Sequence, residues 1–186
     1  MRKLKLQVQM SVDGYVGGPN GELDFMMWNW SDDIKKYVNE LHDTIDTILM
    51  GRKMTDGFVG HWANVLNNPA DESYEFAKKM IDTPKVVFTK TLDKSEWVNT
   101  VLAKGDLTEE VNKLKAQNGN DIIVYGGASF VASLIEAGLI DELNLFVNPA
   151  TLGKGLPIFM NRNALELISA TPFECGIVLL VYKPKK

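Results

Sequence analysis

The sequence has few of the residues on which disulfide and metal chemistry depend. It contains one cysteine, Cys175, and two histidines, His42 and His61, among 186 residues. A single cysteine excludes an intrachain disulfide, and no Cys/His cluster has the spacing of metal ligands, so we expect no metal. Cys175 lies in an apolar C-terminal run and is interpreted as a core thiol rather than a nucleophile.

Long apolar runs and an excess of positive charge are also lacking. No run approaches the roughly 20 residues that span a membrane, and the N-terminus has no signal-peptide core. The formal net charge is −4 and the basic residues are scattered, which argues against a nucleic-acid partner. These features predict one domain in the reducing cytoplasm, with neither membrane nor nucleic acid as partner.

Strand and helix patterns alternate along most of the chain. Leu4 to Ser11 alternates apolar and polar residues, as expected of a strand. Further strands are predicted at 47–50, 85–89, 97–102, 122–124 and 142–147, and helices at 69–81, 107–117, 129–137 and after the N-cap residue Ser31. Segments 165–172 and 175–182 predict a C-terminal hairpin. We therefore expect a single α/β domain over residues 1–186, a three-layer sandwich with a mostly parallel central sheet and an antiparallel C-terminal hairpin.

Three loops that follow predicted strands carry residues suited to binding phosphate groups. They are residues 51–53, 89–91 and 126–129. In an open parallel sheet such loops meet at the carboxyl ends of the strands, where ligands bind. The first and third are glycine-led helix starts, whose free N–H groups and dipole favour an anion. The second adds hydroxyls and a cation, Lys90. Together they predict a dinucleotide with a further ribose phosphate, NADPH rather than NADH, although a ligand-free turn at Gly126-Gly127 and a solvated Lys90 are open alternatives.

Two further features have both a functional and a structural interpretation. An apolar-aromatic patch at 25–30, which includes Trp28, could line a pocket for a flat ring or belong to the core. Asp33 falls in the first turn of a helix capped by Ser31, where the helix dipole alone favours an acid. A functional role for Asp33 therefore needs additional support.

Several motifs occur in order and at plausible spacing: MSVDGYV at 10–16 with its GPNGELD continuation, ILMGRK at 48–53, VVFTK at 86–90, VYGGA at 124–128, DELNLFVNP at 141–149 and LGKGLPIF at 152–159. Through these motifs the chain resembles the dihydrofolate reductase superfamily over essentially its whole length. The resemblance is closest to the reductase domain of the riboflavin-biosynthesis deaminase–reductase and to its stand-alone bacterial relatives.

The resemblance implies a homodimeric NADPH-dependent oxidoreductase that acts on a small pteridine- or pyrimidine-like heterocycle, as dihydrofolate reductase and 5-amino-6-(5-phosphoribosylamino)uracil reductase do. It implies Asp33 as the catalytic carboxylate, with Asp13, Trp28 and Tyr37 near the substrate. The cofactor residues that it implies are Gln9 and Val16 beside the nicotinamide; Gly51, Arg52, Lys53 and Met54 at the adenosine-side phosphates; Thr89 and Lys90 at the 2′-phosphate; and Gly126, Gly127, Ala128, Ser129 and Phe130 at the pyrophosphate and ribose.

The chain also departs from the classical dihydrofolate reductases. Those enzymes support the catalytic acid with a threonine on the strand before the hairpin, and Phe146 aligns with it here. The GPNG loop and the LGKGLP segment are typical of the riboflavin branch. These departures argue against dihydrofolate as the substrate. A true dihydrofolate reductase and a catalytically idle NADPH-binding protein are the alternatives to a heterocycle reductase.

Overall fold

The protein is represented by a computed structural model, which describes residues 1–185. Within them the chain forms one eight-stranded sheet and five helices. The strands are β1 (Leu4–Ser11), β2 (Ile45–Gly51), β3 (Lys85–Phe88), β4 (Thr100–Ala103), β5 (Asp121–Val124), β6 (Glu142–Asn148), β7 (Leu165–Pro172) and β8 (Val178–Pro184). The helices are α1 (Asp32–Asp43), α2 (Arg52–Val65), α3 (Tyr74–Asp82), α4 (Leu107–Ala116) and α5 (Ala128–Glu136).

The strand order in the sheet is β4-β3-β2-β5-β1-β6-β8-β7. Strands β1 to β6 are all parallel, whereas β8 runs antiparallel to both β6 and β7. The predicted mostly parallel sheet with an antiparallel C-terminal hairpin is confirmed. Because six strands point the same way, their last residues lie along one border of the sheet, here termed the carboxyl edge.

Helices cover both faces of the sheet and complete the three layers. The apolar residues of β1 pack in one cluster with residues of α4 and α5. The opposite face contacts α1, α2 and α3 through two other clusters. Since side chains alternate along a strand, the polar residues Lys5, Gln7 and Gln9 face the α1 side. The Lys5 ammonium confirms this direction, because it donates to Thr44 Oγ1 at the end of α1 (3.0 Å).

Some element boundaries differ from the sequence predictions for local reasons. The helix predicted at 69–81 begins five residues later as α3, because Asp71 Oδ1 accepts from the Ser73 amide (2.8 Å) and holds a turn in its place. The helix end predicted at Gly138 is confirmed. Gly138 has φ +64°, and the Leu139 amide donates to the Leu134 carbonyl (3.0 Å), which closes α5.

The C-terminal hairpin differs from prediction at its second strand. The segment predicted to start at Cys175 begins at Val178 because residues 173–177 form a turn, in which the Gly176 amide donates to the Phe173 carbonyl (2.9 Å). Cys175 is therefore a half-buried turn residue at the margin of the α1-side core, rather than a core thiol. None of the helices in residues 1–185 is both long and apolar enough to cross a bilayer.

Candidate functional site

The carboxyl edge brings the three phosphate-capable loops together. Gly51 ends β2 and lies against the first turn of α5, where a Cβ added to Gly51 would be 3.0 Å from the Phe130 Cβ. Phe88 ends β3, and its ring centroid is 5.2 Å from that of Phe130. The ends of β2 and β3 and the start of α5 are therefore in van der Waals contact, as the parallel topology predicts.

Two of the five helices, α2 and α5, begin at this edge, and no side chain caps their first N–H groups or neutralises their positive dipole ends. The N-cap residues of α2 and α5 are Gly51 and Gly127, no side chain caps either helix, and neither has an acid in its first turn. The other three helices all carry acids there. The first N–H groups of a helix have no intrahelical partner and lie at the positive end of its dipole. Two adjacent anion-accepting surfaces result.

The glycine pair before α5 is required by its backbone conformation. Gly126 has φ +147° and Gly127 has φ +81°, a region that other residues rarely adopt. A Cβ on Gly126 would also lie 3.5 Å from the Met54 sulfur. The pair lets the chain turn from β5 into α5 while leaving the surface above the helix start open.

Cationic side chains flank these helix starts. The Arg52 guanidinium donates to Asp56 Oδ2 (2.8 Å), and Lys53 and Lys90 are exposed. Thr89 is buried, and its hydroxyl oxygen accepts from the amides of two following residues (both 3.2 Å). Thr89 thus shapes the turn that presents Lys90 to solvent. Positive charge at this edge would attract phosphate groups.

At the ends of β1 and β6, two side-chain amides hold an aromatic loop against the sheet. The buried Asn148 donates to Gln9 Oε1 (3.0 Å), and its own oxygen accepts from the Met27 amide (2.9 Å). The neighbouring Trp28 is 65% exposed, so it is not a core residue. Met27 and Trp30 of the 25–30 patch pack against the α1-side core, so the core interpretation is confirmed for these two residues and the ring-pocket interpretation stays a prediction for Trp28.

Asp13 and Val16 tie the loop after β1 to the loop after β6. Both Asp13 oxygens accept backbone amides of that second loop, Leu152 (3.1 Å) and Gly153 (2.7 Å), and the Ser11 hydroxyl donates to Asp13 (2.7 Å). The Ser11 hydrogen bond chiefly holds the Asp13 pKa below its usual value. The Val16 amide donates to Leu156 (3.0 Å). The structure therefore shows Asp13 joining two loops.

Asp33 joins α1 to the turn of the C-terminal hairpin. Its carboxylate accepts from the Ser31 hydroxyl, from the Ile34 amide (2.8 Å) and from the Glu174 amide (3.0 Å). Ser31 stands at the N-cap position as predicted, but its hydroxyl binds Asp33 instead of capping a helical N–H. The hydrogen bond from Ser31 is the main cause that lowers the pKa of Asp33. Asp33 is consequently ionised at neutral pH.

Tyr37 lies one turn further along α1, above the sheet. Its hydroxyl donates to the buried Asn144 Oδ1 (2.9 Å), and burial raises the Tyr37 pKa to about 12. Its ring contacts that of Phe146 edge-on at 6.0 Å between centroids. The tyrosine is neutral at physiological pH and offers a polar atom inside an aromatic surface.

Sequence reasoning missed three residues of this region: Gln7, Tyr125 and Asn144. Tyr125 follows β5, stacks on Phe58 with 5.6 Å between ring centroids, and forms a hydroxyl hydrogen bond with His42 Nδ1 (3.0 Å). All three lie on the α1 side of the sheet. One signal was available in the sequence, since polar residues interrupt strands that the topology places at the centre of a covered sheet.

The surface away from the carboxyl edge has two depressions. Two open depressions lie at the opposite border of the sheet, one beside His42 and Thr83 and the other beside Arg2 and Gly119. Over the described part of the chain, no three or more His, Cys, Asp or Glu side chains are placed to hold a metal ion. The two uncapped, acid-free helix starts lie at the carboxyl edge, away from these depressions.

The fold is that of the dihydrofolate-reductase-like proteins. Residues 2–179 match the RibD C-terminal domain, and the chain belongs to this family. It is 33% identical over 186 residues to YyaP of Bacillus subtilis (strain 168), an uncharacterized protein, with 97% of this chain and 94% of YyaP covered.

Two solved structures show the same fold. A protein from Shewanella sp. PV-4 assigned to riboflavin biosynthesis superposes with a TM-score of 0.72 at 22% identity, covering 100% of both chains. Dihydrofolate reductase from Enterococcus faecalis, complexed with NADP(H), superposes with a TM-score of 0.60 at 17% identity, covering 99% of this chain and 97% of that one. The family match confirms the predicted riboflavin-type branch, and the superpositions confirm the predicted dihydrofolate-reductase-like fold.

Proposed function

We propose that the protein is an NADPH-dependent reductase that transfers a hydride to a small pteridine- or pyrimidine-like heterocycle. The observation that supports it most strongly is the pair of uncapped, acid-free helix starts at Gly51 and Gly127, side by side at the carboxyl edge. Two adjacent anion sites suit a dinucleotide, because its phosphates are spaced along one extended molecule. The open cradle at Gly126 and Gly127 fits a pyrophosphate approaching the backbone.

The remaining cofactor roles that we propose are those implied by the family resemblance. Arg52, Lys53 and Met54 would contact the adenosine-side phosphates at the start of α2, and Lys90, with Thr89, the 2′-phosphate. Residues 126–130 would hold the pyrophosphate and ribose, and the backbones at Gln9 and Val16 would flank the nicotinamide. When bound, NADPH supplies the hydride, and the chain supplies binding, orientation and exclusion of water.

The substrate ring would lie on the α1 side of β1, between the nicotinamide end and Tyr37, with Trp28 at its rim. Asp33 is the proposed catalytic carboxylate. Because hydrogen bonds lower its pKa, Asp33 is ionised and would anchor the ring, or pass a proton to it through water, rather than act as a stored acid. Asp13 is the second candidate for the same role.

Equilibrium titration with NADPH and, separately, NADH tests the cofactor assignment. We expect micromolar NADPH binding and at least tenfold weaker NADH binding, since NADH has no phosphate for Lys90 to contact. Absence of binding by both would refute the proposed function. NADPH binding without oxidation in the presence of pteridine and pyrimidine substrates would instead indicate a catalytically idle NADPH-binding protein. Rapid reduction of dihydrofolate would indicate a true dihydrofolate reductase.

We also propose that two copies associate through the C-terminal hairpin. On the face that carries the buried Leu143 and Leu145 of β6, the next strands present half-buried Leu180 and Tyr182 and then the 53%-exposed Leu167. Within residues 1–185, Leu180 and Tyr182 pack at the margin of the cluster that includes α4 and α5, whereas Leu167 is not part of it. An exposed apolar face of this kind favours association with a matching surface, and the second copy supplies one by symmetry.

A further inference from the structure

Tyr125 joins the end of β5 to the glycine cradle, which is formed by Gly126 and Gly127. The strand ends at Val124, so Tyr125 lies just beyond it, and the two glycines with positive φ follow at once. Backbone angles of this kind are kept only where the surroundings determine them. The contacts of the Tyr125 side chain therefore bear directly on the shape of the cradle.

The Tyr125 side chain is held by two helices of the α1 side. Its ring stacks on Phe58 of α2, with 5.6 Å between ring centroids and 24° between ring planes. Its hydroxyl forms a hydrogen bond with Nδ1 of His42 on α1 (3.0 Å). The His42 ring is buried in turn, and it packs edge-on against Phe76 of α3 with 5.6 Å between centroids. Tyr125 thus ties the glycine cradle to the helix layer behind it.

The hydrogen bonds of Thr83 determine which His42 nitrogen carries the proton. The Thr83 hydroxyl lies 2.7 Å from the Lys79 carbonyl oxygen, which can only accept, so the hydroxyl proton is donated there. Thr83 Oγ1 must then accept from His42 Nε2 (3.2 Å). Burial lowers the His42 pKa to about 4, so the ring is neutral at pH 7 and Nδ1 has no proton. The Tyr125 hydroxyl is therefore the donor to His42 Nδ1.

This hydrogen bond has a fixed direction, and its loss is costly. Burial raises the pKa of Tyr125, so the hydroxyl keeps its proton and needs an acceptor. A buried hydroxyl without an acceptor is destabilised, so the position of Tyr125 follows that of His42. Phe58 belongs to the helix that begins at Gly51, the other proposed phosphate site. The same tyrosine side chain consequently places the cradle relative to that helix.

We propose that Tyr125, oriented by His42, is a positioning residue that holds Gly126 and Gly127 in the conformation that receives the cofactor pyrophosphate. The inference rests on the proposed function, which assigns the pyrophosphate to this cradle. His42 is buried and borders the depression on the opposite side from the carboxyl edge, so it acts through Tyr125. When the hydrogen bond is lost, fewer molecules have the binding conformation, and the apparent affinity falls in proportion.

Two nucleotides that share the adenosine half distinguish an effect on the cradle from a general effect on the protein. NADPH carries a pyrophosphate, whereas adenosine 2′,5′-bisphosphate has the 2′-phosphate but no pyrophosphate. Each is titrated into the protein and followed by calorimetry. Tyr125→Phe keeps the stacked ring and removes the hydroxyl. It should weaken NADPH binding about fivefold, as expected for one lost hydrogen bond, and leave bisphosphate binding within about twofold of the wild type.

Matched variants test whether this one hydrogen bond, and not general stability, is responsible. Thr83→Val removes the other hydrogen bond of His42. It should lower the melting temperature while NADPH affinity stays within about twofold of the wild type. His42→Asn keeps an acceptor oxygen near the position of Nδ1, so it should bind NADPH more tightly than His42→Leu, which has no acceptor. Adding Tyr125→Phe to His42→Leu should weaken NADPH binding no further, because both changes remove the same hydrogen bond.

Three results would overturn the inference while leaving the proposed function intact. They are unchanged NADPH affinity in Tyr125→Phe, an equal loss of bisphosphate affinity in that variant, and a loss of NADPH affinity in Thr83→Val as large as in Tyr125→Phe. Failure of the wild type to bind NADPH would be seen in the first titration. It would remove the proposed function and this inference together.

Discussion

The Arg52 guanidinium carbon lies over the Trp97 indole, 5.2 Å from the ring centroid, at the start of α2. The indole nitrogen donates to Asp56 Oδ1 (3.1 Å), and Arg52 forms an ion pair with the same carboxylate. A phosphate bound by Arg52 would compete with Asp56 and change the surroundings of the indole. Trp97 is therefore placed to report on the proposed phosphate site.

We predict that NADPH binding changes the tryptophan emission mainly through Trp97. Trp97→Phe should remove most of the signal while calorimetry still detects binding.

Arg52→Gln should weaken the binding of NADPH and of NADH alike, by about tenfold each, because both nucleotides carry the phosphates near α2. Lys90→Gln should weaken NADPH alone. Lys113→Gln, an exposed lysine of α4, is the matched control. Equal weakening of both nucleotides by Lys90→Gln would contradict the 2′-phosphate role.

Asp33 has a structural role and a proposed chemical one, and the two can be separated. Asp32 and Asp33 share the first turn of α1, but the exposed Asp32 offers only its charge to the helix dipole. Asp33→Asn should lower the melting temperature more than Asp32→Asn, because it also weakens the contacts with Ser31 and Glu174. If Asp33 serves the reaction, only its variant should lower turnover, at least tenfold, with NADPH affinity unchanged. Equal turnover in the two variants would remove Asp33 from the mechanism.

The sequence predicts the fold well because the governing signals are local. Alternation in β1, the apolar run of β5 and the glycines after it specify strands, turns and helix starts without knowledge of the neighbours. The confirmed helix end at Gly138 is of the same kind. The prediction was wrong at the start of α3, because the Asp71 side chain accepts a hydrogen bond from the Ser73 amide and so stabilises a turn there instead of a helix.

The polar surface around Gln7 depends instead on strand order. Gln7, Tyr125 and Asn144 become neighbours only because β1 lies between β5 and β6. They are far apart in the chain. The alternation of polar and apolar residues along a strand predicts the face of the sheet on which each residue lies, but not the residues of neighbouring strands that it contacts. The link from Asp33 to Glu174 has the same origin, since the hairpin turn must first fold back to α1. Such contacts require the three-dimensional structure.

His42 makes the stability of the protein depend on pH in a defined range. Its side chain is 4% exposed, and burial, followed by the nearby Lys79 charge, lowers its pKa to about 4 from 6.5. The folded state therefore favours neutral His42. Its contribution is complete above pH 6.5, decreases as the pH falls below that value, and is fully lost once the pH has fallen through 4. Linkage predicts that the free energy of unfolding decreases by about 2 kcal/mol between pH 7 and pH 5.

Urea unfolding at the two pH values measures this effect. His42→Gln should be less stable than the wild type at pH 7, because it disturbs the hydrogen bonds to Tyr125 and Thr83, but it should lose little further stability at pH 5. His61→Gln, on the exposed side of α2, should follow the wild-type profile. A wild-type loss that persists undiminished in His42→Gln would assign the acid sensitivity to other groups.

The proposed dimer surface can be tested on one strand of the hairpin. Leu167 pairs with Tyr182 on the exposed apolar face, whereas Ser169 pairs with Val181 on the other face of the same strand. Leu167→Glu would place a charge in the centre of the interface, which is costly once water is excluded. Sedimentation velocity should give twice the chain mass for the wild type and for Ser169→Glu, and the single chain mass for Leu167→Glu. A wild type that sediments as a monomer at micromolar concentration would contradict the dimer, and dissociation caused equally by Ser169→Glu would place the contact on the other face.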